Sequence, residues 1–475
     1  MYEHQVLVAD LGGAIVKTDL VYESFWLALS QNAPKAIFGM KSIIHSRAHL
    51  KFHLAEGVSL DPSLIPYNRC VLEFIRNWRA GGGRTALVAE FDQTLADDIA
   101  DHLGLFDEVH ASNGARHLDG RKKAEFLIQQ FGVGRYDYIG DSLADLPTWE
   151  NARRAITVGA TATLRRAVEA CSSKVQHLDT EPRNSIAYLR ALRPHQWLKN
   201  VLIFLPAVAA HDLLVETWLA ALLAFVSFSL VASSVYVIND LLDLAADRSH
   251  PRKRNRPFAS GAIPLGHGTI MAPALFIAGA MIALTVDRLE FVAVVIAYYV
   301  LTMVYSLSLK RKLVIDIGTL AGLYTIRILA GGVATEVPLS VWLLAFSIFF
   351  FLSLAAVKRQ TELVDALTSG REQAFGRAYR ADDLSIVAMM AIASGYVAVL
   401  VMALYIDSSF VQSTYSDPRI LWVICPVLLY WVSRLVMLAH RGKIDDDPIL
   451  FAIRDQISRI CGLLALGAVL AASFL

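Results

Sequence analysis

Hydrophobic residues are distributed in two contrasting ways along this chain. Before about residue 180 they form short runs of four or five set among polar stretches, whereas from Trp197 onward they form long runs separated by brief charged loops. The short runs Val6–Asp10, Thr85–Ala89, Tyr136–Asp141 and Ala155–Gly159 read as buried strands, most with an acid or a glycine at the tip. Helical stretches between them give the alternation expected of a parallel sheet. Ligands in such sheets collect at the carboxyl ends of the strands, where Asp10, Glu90 and Asp141 fall. The long runs lie at about 197–211, 217–238, 269–286, 290–308, 314–333, 339–357, 384–405, 419–438 and 457–474. A helix needs roughly 20 apolar residues to cross a hydrocarbon layer, so the pattern predicts about nine transmembrane helices, the first short and therefore tilted or partly interfacial. The predicted architecture is an N-terminal Rossmann-like α/β domain over residues 1–180, a linker over 181–192, and an all-α polytopic membrane domain over 193–475.

Composition supports the division. Of 475 residues, 55% are hydrophobic, and the mean hydropathy of +0.46 is that of a chain largely held in lipid. A net charge of +1 gives no reason to expect nucleic acid as a partner, and leaves a homo-oligomer open. The four cysteines, Cys70, Cys171, Cys425 and Cys461, lack the spacing of a zinc site or disulfide framework. The N-terminus lacks the basic start and apolar core of a signal peptide, which predicts a cytoplasmic first domain. Loop charge agrees. Arg248, Arg252, Lys253, Arg254 and Arg256 follow the second span, Lys310, Arg311 and Lys312 the fourth, Lys358, Arg359, Arg371, Arg377 and Arg380 the sixth, and Arg441, Lys443 and Arg454 the eighth. The positive-inside rule places these loops in the cytoplasm, which predicts a multi-pass protein of the inner (cytoplasmic) membrane with its C-terminus on the opposite side.

The chemistry concentrates on that cytoplasmic side. Asn239-Asp240-Leu-Leu-Asp243-Leu-Ala-Ala-Asp247 closes the second span. At about 100° per residue its four polar side chains share an arc of roughly 100° on one helix face. Three carboxylates so placed repel one another unless a cation stands among them. Hard oxygen donors near a membrane interface suit Mg²⁺ carrying a substrate diphosphate, which makes Asn239, Asp240, Asp243 and Asp247 candidate metal ligands. Arg327, inside the fifth span, carries a charge that is costly in lipid and is expected to face a polar cavity or an acid. Lys199, Arg256, Lys310, Arg327 and Lys358 are candidate phosphate ligands. The basic pairs that include Lys310 and Lys358 read equally well as topology signals, and Arg311, Lys312 and Arg441 are assigned to topology.

These motifs resemble the UbiA superfamily of intramembrane prenyltransferases over about residues 190–475. Arg193-Pro-His-Gln-Trp197-Leu-Lys199-Asn200, the stretch from His250 to Gly261, and Tyr305-Ser-Leu-Ser-Leu-Lys310 are similar to its decaprenyl-phosphate phosphoribosyltransferase branch. The resemblance implies transfer of 5-phosphoribose from phosphoribosyl pyrophosphate to a polyprenyl phosphate, with release of pyrophosphate. Asp240, Asp243, Lys310 and Arg327 are then the catalytic candidates, and Lys199, Asn200, Lys253, Arg256, Tyr305, Asp316 and Lys358 the substrate-binding ones. Aromatic prenyltransferases of the superfamily carry a second Asp-rich motif, of which Asp316 supplies only the first acid. Transfer of a prenyl group to a small acceptor is therefore the second reading, and a non-enzymatic membrane scaffold the third.

The first 170 residues resemble the haloacid dehalogenase (HAD) fold. Gly140-Asp141-Ser142-Leu-Ala-Asp145 is similar to its acidic Mg²⁺ motif, Lys123 to its phosphate-binding lysine and Asp10 to its nucleophile. Yet Gly12 stands where the family has its second, proton-donating acid, and Ala89 where it has a phosphate-binding Ser or Thr. A nucleophile without its general acid is poorly equipped for hydrolysis, so the expectation is a degenerate site.

Overall fold

A computed structural model describes residues 5–31, 60–113, 117–180, 185–370, 377–444 and 448–474; Arg371 and the first part of the expected linker lie outside them. The described chain forms two compact units, one of Met1–Arg193 with Tyr236–Ala274 and one of Pro194–Val235 with Leu275–Leu475.

The first unit is built on six parallel strands in the order β3-β2-β1-β4-β5-β6. They are β1 (Val6–Asp10), β2 (Arg84–Asp92), β3 (Glu108–Ser112), β4 (Tyr136–Gly140), β5 (Arg154–Val158) and β6 (Val175–Leu178). β1 and β4 are buried along their whole length, because helices cover both faces of a parallel sheet. The two outer strands, Glu-Val-His-Ala-Ser and Val-Gln-His-Leu, escape prediction: they are short, polar at alternate positions and only partly buried. Helix α1 (Leu20–Gln31) follows β1, and α2 (Gly120–Phe131) carries Lys123 under the sheet's carboxyl end. This is the predicted α/β arrangement on a parallel sheet.

Among the described residues, eight helices are long and apolar enough to cross a membrane. They contain α3 (Val215–Leu242), then, after the short α4 (Leu244–Ser249), α5 (Leu265–Thr285), α6 (Leu289–Leu307), α7 (Ile315–Thr335), α8 (Val341–Thr368), α9 (Leu384–Ile406), α10 (Ile424–His440) and α11 (Gln456–Phe474). α3 is the most enclosed, with 61% of its span buried against 22% for α5, α6 and α11. Exposed Leu, Ile and Met side chains such as Leu222, Ile277, Met281 and Leu463 are what a lipid-facing surface requires.

The first of the nine expected spans takes a different form. Pro194–Phe204 winds as a 3₁₀ helix and Leu205–Ala209 as a single α-helical stretch. Neither piece is long enough to count among the eight helices that could cross a membrane. This thin segment packs tightly on α7: a Cβ at Gly331 would run into the carbonyl oxygen of Ile203. Close backbone approach of this kind is how small residues hold membrane helices together. Gly331→Ala is expected to destabilise the detergent-solubilised protein by about 1–3 kcal/mol through overpacking, read as a lowered midpoint of thermal unfolding; an unchanged midpoint would contradict the contact.

Candidate functional site

The Asp-rich run sits where α3 gives way to α4. Asp243 has left helical geometry, at φ −100° and ψ 16°, yet its N–H still donates to the Asn239 carbonyl at 2.9 Å and its own carbonyl accepts from Asp247 N–H at 2.8 Å. The i→i+4 spacing therefore survives the break and keeps the acids on one side. Arg256 stands among them, donating from Nη1 to Asp240 at 3.2 Å and to the two oxygens of Asp247 at 2.9 and 2.6 Å. Asp240 also accepts from Arg193, which holds a left-handed φ of 51° and lies over the Tyr236 ring at 5.4 Å. Burial pushes the Asp247 carboxyl above its ordinary value, while Arg256 works against that rise. Asp240 and Asp247 are 2% and 3% exposed, so a cation is required beside them. Asn239 Oδ1 is buried with no hydrogen-bond partner. An amide oxygen and carboxylates are the donor types a hard divalent cation takes, but here Arg256 rather than a shared point among Asp240, Asp243 and Asp247 links the acids. Lys253 opens the 3₁₀ turn that leads into Arg256.

The helical unit holds two further polar clusters. Arg327 is 5% exposed and donates to Asn200 Oδ1 at 2.8 Å, to Tyr298 Oη at 3.0 Å and to the Leu323 carbonyl. Its guanidinium lies 5.0 Å from the Tyr298 ring and 5.7 Å from that of Tyr324, and Lys199 shares the Tyr324 ring at 5.7 Å. Asn200 in turn donates to Ser229 Oγ at 3.0 Å. Of the two surroundings expected for Arg327, a polar cavity or an acid, its partners here are neutral oxygens and π faces, which also stabilise a guanidinium.

In the second cluster Asp316 is fully buried. It accepts from Tyr305 at 2.8 Å, pairs with Arg359 at 2.6 Å and meets Arg377 at 3.5 Å. Arg359 also pairs with Glu362, and Arg377 reaches the Lys310 carbonyl at 3.2 Å. Arg359, legible as a topology signal, is instead completely buried, because α8 runs on to Thr368 past the apolar stretch that ends near 357. Lys358 beside it is half-buried. The sequence placed Arg193 in a motif and Arg359 and Arg377 among the loop charges, and put none of the three in a site. The Arg359–Glu362 spacing of three, a helical ion-pair spacing, was the available signal for one of them.

At the carboxyl end of the sheet, Lys123 Nζ lies 2.8 Å from Asp145, 3.3 Å from Asp10 and 3.4 Å from Glu90. Asp10, Asp141 and Asp145 each bring a carboxylate oxygen within 4.8 Å of the others, close enough to share a metal ion. Ala89 is buried and offers no hydroxyl.

Buried carboxylates and cations lie beside helices of which eight, among the described residues, are long and apolar enough to cross a membrane. Residues 200–453 match the model of the UbiA prenyltransferase family, and the chain belongs to that family of transferases. Its similarity to an uncharacterised protein, y4nM, of Sinorhizobium fredii is 35% identity over 97% of this chain and 90% of that one. It is 32% identical to the decaprenyl-phosphate phosphoribosyltransferase of Mycolicibacterium smegmatis, over 64% of this chain and 98% of that one. A solved structure of a UbiA homologue from Archaeoglobus fulgidus, bound to DMAPP and Mg²⁺, is 16% identical over 60% of this chain and 99% of that one, with a TM-score of 0.45.

Burial raises the Asp10 carboxyl well above its ordinary 3.8, Lys123 opposes this, and Asp145, Asp141 and Glu90 add to it. A carboxyl whose folded pKa is raised costs stability once pH exceeds its unfolded value, and costs nothing below it. Asp10→Asn in chelator-containing buffer is therefore expected to raise the unfolding midpoint of the first unit at pH 7–8, with the gain fading as pH falls towards 3.8. A gain of equal size at pH 3.5 and pH 8 would refute the assignment.

Proposed function

We propose that the protein transfers 5-phosphoribose from phosphoribosyl pyrophosphate to a polyprenyl phosphate of the decaprenyl type, releasing pyrophosphate at the cytoplasmic face of the inner membrane. The observation that carries this reading is the Asp240–Arg256–Asp247 cluster with its orphaned Asn239 oxygen. It matches the needs of a metal-bound diphosphate, in a chain similar over almost the whole length of a decaprenyl-phosphate phosphoribosyltransferase.

Asn239, Asp240, Asp243 and Asp247 would hold Mg²⁺, which neutralises a diphosphate and stabilises it as a leaving group. Arg256 has two roles open to it. Without a ligand it keeps Asp240 and Asp247 from repelling each other; with one, its fork of donors suits the phosphate oxygens. Lys253, three residues before it, adds charge to the same loop. As the bond from the anomeric carbon to pyrophosphate breaks, its electron pair leaves with pyrophosphate and the ribosyl carbon becomes oxocarbenium-like. An oxygen of the acceptor phosphate then bonds to that carbon. Phosphate monoesters are already anionic near neutral pH, so the attack requires no strong base. Lys199 and Arg327 are assigned to the acceptor phosphate on their charge alone.

Asp316 bears on the alternative donor. It accepts from Tyr305 and is ion-paired with Arg359 and Arg377, so two cations already stand against its charge, which disfavours a second metal-binding Asp motif of the aromatic prenyltransferase kind. We assign the HAD-like site a docking or regulatory role, given the glycine at position 12 and the buried Ala89.

Purified protein offered phosphoribosyl pyrophosphate and polyprenyl phosphate with Mg²⁺ is expected to yield a lipid heavier by one phosphoribosyl group, read by mass spectrometry. Asp240→Asn or Asp243→Asn is expected to lower that transfer by roughly a hundredfold or more. A product carrying a prenyl group instead, or full activity in both variants, would overturn the reading. Phosphate release from monoesters by the full-length protein is expected to match that of Asp10→Asn.

A further inference from the structure

Arg248 follows Asp247 directly on α4, yet its bonds go to a different part of the first unit. Its Nη1 and Nη2 donate to the two carboxylate oxygens of Glu23 on α1, at 3.1 and 2.5 Å, and its Nε donates to the Ala259 carbonyl at 2.9 Å. The Glu23 and Arg248 side chains are 3% and 9% exposed. A two-pronged Arg–carboxylate pair withdrawn from water fixes orientation as well as distance, and removing one member leaves the other buried and unmatched.

The pair has company. The Trp26 indole, one turn further along α1, donates to Thr269 Oγ1 at 3.0 Å. Gly261, at φ +74°, sits so close to Lys17 that an added Cβ would lie 2.9 Å from the lysine Cβ. Residues 17–26 of the α/β domain thus form the seat on which the stretch from Arg248 to Thr269 rests. Within that stretch the Arg248–Ala259 bond ties α4 to the basic loop, three residues from the Arg256 that bridges Asp240 and Asp247.

We propose that Glu23 is a positioning residue for the diphosphate cluster: by holding Arg248 it sets where Arg256 stands between Asp240 and Asp247. The α/β domain is on this account part of the donor-binding machinery, independent of any chemistry at Asp10. The inference rests on the reading of Asp240, Asp247 and Arg256 as the pyrophosphate site.

The test uses full-length protein in detergent, with inorganic pyrophosphate plus Mn²⁺ as the probe in titration calorimetry and, in parallel, the donor KM and kcat. Glu23→Gln is expected to weaken pyrophosphate binding by about tenfold, the loss typical of groups that orient a ligand-bearing residue, and to raise the donor KM more than it lowers kcat. Arg248→Gln should do the same, and the double variant should be no worse than either single one, because both break one interaction. Glu23→Asp and Arg248→Lys, which keep the charge but spoil the fork, should fall between; they carry the comparison if Glu23→Gln is not recovered folded. Wild-type affinity in the Glu23 and Arg248 variants, alongside loss in Asp240→Asn, overturns this proposal and leaves the functional reading standing. Additive losses in the double variant overturn the coupling. No pyrophosphate binding by the wild-type protein removes the functional reading itself, and this inference with it.

Discussion

A charge withdrawn from water must be matched where it stands, and each cluster in this protein is arranged around that demand. Asp240 and Asp247 are matched by Arg256 and Arg193, Asp316 by Arg359 and Arg377, and the acids under the sheet by Lys123. Arg327 is matched without an acid, by an amide oxygen, a carbonyl, a phenol and two aromatic faces. The difference has chemical weight. A cation held by neutral groups keeps its full charge available to an anionic ligand, while one locked to carboxylates must exchange partners to bind one.

Exposure separates the two carboxylate-bound clusters from each other. Arg256 is shared between two acids and is 29% exposed on its side chain, so its pairs are open to exchange. Arg359 and Asp316 are completely buried against each other, and breaking that pair would strand two charges. The first arrangement is suited to admitting a metal and a diphosphate. The second is suited to fixing α7 against α8.

The membrane part depends as much on small residues as on charges. Gly331 lets the thin segment Pro194–Phe204 lie against α7, and Gly279 lets α5 approach α3, where the Ser227 hydroxyl donates to its carbonyl at 2.8 Å. Lipid tails offer helices no hydrophobic reason to associate, so close backbone contact and such hydrogen bonds hold them together. The first expected span is instead a 3₁₀ stretch and a five-residue helix, so eight helices among the described residues are long and apolar enough to cross a membrane.

Much of this was legible in the sequence because local patterns carry it. Long apolar runs must be spans, short ones flanked by acids must be strands of a covered sheet, and acids spaced by three and four must share a helix face; each follows from backbone period and the cost of exposing apolar groups or burying polar ones. Asp240, Asp247 and Arg256 could be grouped because they lie within one turn-rich stretch, and β3 and β6 were missed because a short, half-polar edge strand has no distinctive period. What the tertiary structure decided were the partners distant in the chain: Arg193 for Asp240, Arg359 and Arg377 for Asp316, and Glu23 for Arg248, 225 positions away. No local pattern can announce such pairs. A lone arginine in a basic loop looks the same whether it faces water or a buried carboxylate, and only the packing of the whole chain determines which.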